Sequence, residues 1–120
     1  MPSERAAKWF GDIVAAAELA AQWSDEIGGP DAAMADALVR SAIERQLLII
    51  SEAAKRLDYH DKGLAEQLAP NVDWAGVRGI GNVLKHRYDD LDFDTVSLAL
   101  RDHLAPLRDA CVRAIASLAP

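Results

Sequence analysis

Apolar residues along this chain recur at steps of three and four, the period of helices with one buried face. From Glu4 to Trp23 the positions Trp9, Phe10, Ile13, Val14, Ala17, Ala20 and Ala21 predict a first amphipathic helix. Gly28, Gly29 and Pro30 stop it, and Asp31 is placed to cap the next. The broadest stripe runs from about Ala32 to Leu57, where Val39, Ile43, Leu47, Ile50, Ala54 and Leu57 are flanked by Leu38, Ala42, Ile49 and Ala53. A face that wide implies burial against more than one neighbour. On its polar side Arg40 and Glu44, and Glu52 and Arg56, are spaced to meet on a helix surface.

A shorter amphipathic piece is expected from about Lys62 to Leu68, closed by Pro70. Asp73 can cap a further helix starting at Trp74 and carrying Val77, Ile80, Val83 and Leu84 toward the core. The aspartate-rich stretch from Tyr88 to Asp94 reads as a connector. A last long helix follows through Val96, Leu100, Leu104, Leu107, Cys111, Ile115 and Leu118, with a kink expected at Pro106, which lacks a backbone donor. No strand pattern or internal repeat is present. The expected architecture is all-α: an up-and-down bundle of four main helices plus a short one, forming one domain over residues 1–120.

Half of the residues are apolar and about a quarter charged, the balance of a globular domain. No apolar run is long enough to cross a bilayer, and Met1 to Lys8 lack a signal-peptide layout, so a cytoplasmic location is expected. The lone Cys111 falls on an apolar stripe and reads as a buried, inert thiol. The formal net charge of −6 argues against a generic nucleic-acid binder, so any RNA contact must use a local basic site. The acidic balance also fits simple solubility or docking of a basic partner.

Gly76, Gly79 and Gly81 do not form a nucleotide loop: no strand precedes them, Leu84 stands where a third fingerprint glycine would, and the Walker lysine pattern is absent. They read as sites of close packing or turning. His60 has no Cys or His at ligand spacing and reads as a loop histidine. The chemistry-bearing cluster is Asn82, Lys85, His86, Arg87 and Tyr88 at a helix end. Asn82 and His86 are four apart and can reach one bound group. A histidine titrating near neutrality suits proton transfer at a ribose hydroxyl, an asparagine can orient a phosphate, and nearby cations can offset developing charge. A histidine capping backbone carbonyls is the structural alternative.

Two stretches resemble HepT-like proteins of the HEPN superfamily. They are RSAIERQLLIISEAAKRL over Arg40 to Leu57 and WAGVRGIGNVLKHRYDDLD over Trp74 to Asp92, the second with an Asn-x-x-x-His-x-Tyr core. The later RDHLAPL has the same look, and with the opening helix the resemblance spans nearly the whole chain. It implies a helical homodimer in which two motif helices face a shared cleft. It also implies RNA cleavage without metal or other cofactor, and silencing by a nucleotidyltransferase antitoxin. On that resemblance His86 matches the catalytic histidine, Asn82 the polar residue and Tyr88 the tyrosine that receives AMP. Gly81 stands where the family places arginine. The nearest upstream arginine, Arg78, is eight residues from His86, about 12 Å along a helix and roughly 80° round it. Lys85 and Arg87 are closer candidates for holding phosphate.

Three functions follow as expectations: an endoribonuclease toxin subunit, a HEPN binding module that has lost catalysis with its arginine, and a dimeric helical scaffold without nucleotide chemistry. Under the first, Gly81→Arg is expected to raise cleavage.

Overall fold

The structure, a computed structural model, describes residues 2–86 and 89–119, and the side chains of residues 4–85 and 93–119. All elements described are helical: α1 (Pro2–Ile27), α2 (Pro30–Ala35), α3 (Ala37–His60), α4 (Leu64–Leu68), α5 (Trp74–His86), α6 (Asp89–Leu98), a π-helical turn (Ala99–His103) and α7 (Leu104–Leu118). Gly28 and Gly29 turn the chain after α1 with φ of 116° and 113°, a region that favours glycine, and Pro30 opens α2.

The all-α expectation holds, with three differences. The long helix expected from Ala32 is broken at Asp36, whose extended backbone ends α2 and whose carboxylate accepts the Val39 N–H at 3.0 Å, capping α3. Asp31 therefore lies in the first turn of α2 rather than at a cap. Arg40 leaves Glu44 aside and donates to the Met34 carbonyl at 3.0 Å, one of the orphan acceptors at the end of α2. The expected pair Glu52–Arg56 does form, at 3.7 Å.

The second difference lies in the aspartate-rich connector, which is already helical from Asp89. Acidic residues near a helix N-terminus are favoured by its dipole, so the composition that reads as a loop also suits a helix start. Thirdly, the distortion expected at Pro106 is placed one turn upstream. Pro106 has no N–H to give the Asp102 carbonyl, and the chain widens over Ala99–His103, where the Leu104 N–H reaches back five residues to the Ala99 carbonyl.

The core lies where α1 packs between α3 and α7, with α5 on the other flank of α3. Phe10, Ile13 and Ala17 of α1 are buried with Ile43, Leu47, Ile50 and Leu57 of α3 and with Leu107, Cys111 and Ala114 of α7. The alanines of α1, Ala6, Ala16, Ala17 and Ala20, let two helices approach it on different sides. Burial pushes the Cys111 thiol up to about 12, which makes it inert as expected. Leu38, read as part of the stripe, is instead 81% exposed, because α3 has only begun there and no neighbour covers it. Val77 and Ile80 are half-buried, since α5 rests on α3 and leaves an apolar cleft toward α6 and α7.

Candidate functional site

The motif helix α5 is anchored at its start. Asp73 accepts the Gly76 N–H at 3.0 Å, as expected of its cap. The buried Trp74 donates its indole N–H to the Ala69 carbonyl at 3.0 Å and meets Phe10 of α1 edge-on at 6.1 Å. Further along, α5 is stitched to α3 by one hydroxyl. Ser51 Oγ, buried in the apolar stripe, donates to the Arg78 carbonyl at 2.7 Å and accepts the Gly81 N–H at 3.1 Å. A buried hydroxyl needs such partners, and the missing side chain at residue 81 leaves this one room beside the α5 backbone.

The three glycines of α5 thus differ. A Cβ on Gly76 would meet the capping carboxylate of Asp73, and one on Gly81 would stand 2.9 Å from Ser51 Oγ. One on Gly79 would meet nothing within 4 Å. Gly79→Ala should therefore stabilise the fold by about 0.5–1 kcal/mol through helix propensity. Gly81→Ala should destabilise it, because displacing Ser51 Oγ costs about 1–3 kcal/mol, which outweighs that gain. Paired thermal and urea melts check the opposite signs.

The crossing of α3 and α5 forms the floor of a groove of about 410 Å³ that extends across α3 to α1. Ser51 and Lys55 face it from α3, one turn apart, and Gly81 and Lys85 from α5, also one turn apart. Trp9 and Asp12 border it on α1, and Arg45, Glu52 and Arg56 on α3. Its two carboxylates are engaged: Asp12 by Lys8 at 2.9 Å and Glu52 by Arg56 at 3.7 Å. Among the described residues, Arg45, Lys55 and Lys85 have no carboxylate within ion-pair distance. The groove is thus a local excess of positive charge on a chain of net charge −6.

The residues singled out in the sequence are distributed unevenly around it. Lys85 lines the groove, and Asn82 is exposed on α5 at a position about 100° round the helix from Gly81. His86 is the last residue of α5, one turn beyond Asn82 and adjacent in sequence to Lys85. Arg78 is tied elsewhere, to Glu66 at 2.9 Å and Asp58 at 3.9 Å, and does not line the groove. Its hydrogen bond holds the Glu66 carboxyl below the usual range. Arg87 and Tyr88 lie outside the described residues. His60 ends α3 rather than sitting in a loop, and its ring stacks on Trp9 at 5.0 Å.

Sequence reasoning missed Ser51, Arg45 and Lys55. A serine inside an apolar stripe is a usable signal for a buried polar contact. Nothing local relates Arg45 or Lys55 to a motif some thirty residues away, because only the packing of α5 on α3 joins them.

The model of the HepT-like ribonuclease family matches residues 13–114, a span that runs from within α1 to within α7 and contains the whole groove apart from Trp9 and Asp12. The chain belongs to the HepT-like ribonuclease family. No curated protein and no solved structure matches it. Among the described residues no helix is long and apolar enough to cross a membrane.

Proposed function

We propose that the chain is the toxin subunit of a HEPN/nucleotidyltransferase pair, a homodimeric and metal-independent endoribonuclease. The observation that carries this reading is the basic groove on the motif helix of an acidic protein of a ribonuclease family. RNA phosphates are held by local cations, and the groove gathers such cations from α3 and from Lys85 of α5, which stands between Asn82 and His86 in the sequence. His86 takes the proton of a ribose 2′-hydroxyl, whose oxygen attacks the adjacent phosphorus. The bond from phosphorus to the 5′-oxygen breaks, and that oxygen leaves with a proton returned by the imidazolium. The products are a 2′,3′-cyclic phosphate and a 5′-hydroxyl. Asn82 orients the phosphate during the attack. The assay is cleavage of end-labelled RNA in EDTA, with the new ends identified by mass spectrometry; intact RNA over a range of pH and salt would overturn the reading.

One observation favours a second reading, a binding module that pairs with the nucleotidyltransferase without cutting RNA: residue 81 is glycine and its N–H is committed to Ser51. The two readings share the same assembly. A symmetric homodimer would place two copies of α5 around one cleft. Light scattering should give twice the chain mass at micromolar concentration, and a dilution-independent monomer mass would exclude this arrangement.

Tyr88 is the proposed site of AMP addition by the nucleotidyltransferase. The modification sets a bulky anion two residues from His86, where it repels RNA phosphate. Peptide mass spectrometry after incubation with the nucleotidyltransferase and ATP should find AMP on Tyr88. Label elsewhere with Tyr88 unmodified would rule the assignment out.

A further inference from the structure

Lys55 lies one turn beyond Ser51 in α3, opposite Gly81 in α5. Because residue 81 has no side chain, its backbone reaches Ser51, and the Lys55 ammonium comes to 3.6 Å from where a Cβ on residue 81 would stand. Lys55 therefore occupies the space that a side chain from the motif helix would enter. It is half-buried, and among the described residues no carboxylate lies within ion-pair distance of it. A cation partly stripped of water and left without a counter-charge raises the local affinity for an anion. The neighbouring groove cations Lys85 and Arg45 add to that field, while the groove carboxylates Asp12 and Glu52 are occupied by other partners.

We infer that Lys55 is the phosphate-binding cation of the groove, reaching the scissile phosphate from α3 rather than from the motif helix. The inference deepens the ribonuclease reading and rests on it. In the reaction the ammonium contacts the non-bridging oxygens and offsets the charge that grows on them as the 2′-oxygen attacks. Lysine suits this role as a compact point charge on a flexible stem.

The test measures two properties of the full chain in parallel: cleavage of RNA, and binding of a single-stranded DNA oligonucleotide of matched sequence, which lacks the 2′-hydroxyl and cannot be cut by this route. Lys55→Met, which keeps most of the stem, should lower cleavage on the order of a hundredfold. It should also reduce the slope of log binding constant against log salt by about 0.7, the loss of one phosphate contact on a single strand. Lys55→Arg should restore the slope and most of the rate, which a purely structural role for the stem would not require. Lys55→Gln is run alongside, so that a folding defect in one variant does not hide the result. If wild type cuts RNA and both neutral variants cut within threefold of it with an unchanged slope, the role of Lys55 is overturned while the ribonuclease reading stands. If wild type cuts nothing, the ribonuclease reading fails and the slope decides. A reduced slope keeps Lys55 as a phosphate contact of a binding module, and an unchanged one removes it.

Discussion

His86→Ala is expected to abolish RNA cleavage while leaving the fold intact. A general base positioned at a ribose hydroxyl contributes about 10²–10⁴ in rate, and no other residue of the motif can replace it near neutral pH. Among the described residues, α5 is held to the rest of the protein by the Asp73 cap, the Trp74 indole and the contact between Ser51 and Gly81, all upstream of residue 86. The melting temperature should therefore move by no more than a few degrees. The alternative role, a histidine that caps the carbonyls ending α5, predicts the reverse pattern: a lower melting temperature with cleavage retained. Cleavage and melting measured on one preparation separate the two.

Gly81→Arg is expected to cost stability and not to raise cleavage. From the sequence alone an arginine here promises a gain, since it supplies the cation that the family resemblance implies. The structure reverses the expectation. The new Cβ would stand 2.9 Å from Ser51 Oγ and 3.6 Å from Lys55 Nζ, so the side chain would enter the groove against a like charge. Helix propensity returns about 1 kcal/mol, while displacing Ser51 from the Arg78 carbonyl and the Gly81 N–H costs about 1–3 kcal/mol, and charge repulsion adds to that. A net loss of about 1–2 kcal/mol, or several degrees in melting temperature, is expected. The double variant Gly81→Arg with Ser51→Ala should lose less than the two single effects added together, because the clashing hydroxyl is gone. A coupling of about 1 kcal/mol in that cycle would locate the cost at this contact. Cleavage above wild type in the single variant, with normal melting, would show that the crossing adapts to a side chain at 81.

The opposite signs expected for alanine at Gly79 and Gly81 carry the same lesson at smaller scale. Two glycines in one helix look alike in the sequence, yet one faces open space and the other touches a second helix. Helix periodicity reports where a side chain points around its own axis. It does not report how near the neighbouring backbone comes.

The sequence by itself determined the helices, their apolar faces and most of their punctuation, because these depend on residues within a turn or two of one another. Gly28 and Gly29 end α1, Asp73 caps α5, Cys111 is buried, and the chain belongs to the family that its sequence resembles. Asp36 escaped notice because an aspartate on the polar side of a long stripe looks the same whether it continues a helix or caps a new one. The tertiary structure alone decided which cations share a groove with the motif helix. Arg78, adjacent in the sequence, is bound to Glu66 of α4, whereas Lys55, far from the motif along the chain, stands beside Gly81. That outcome follows from one close crossing, made by Ser51 and Gly81, which converts thirty residues of separation into a hydrogen bond and leaves the next turn of α3 facing the motif.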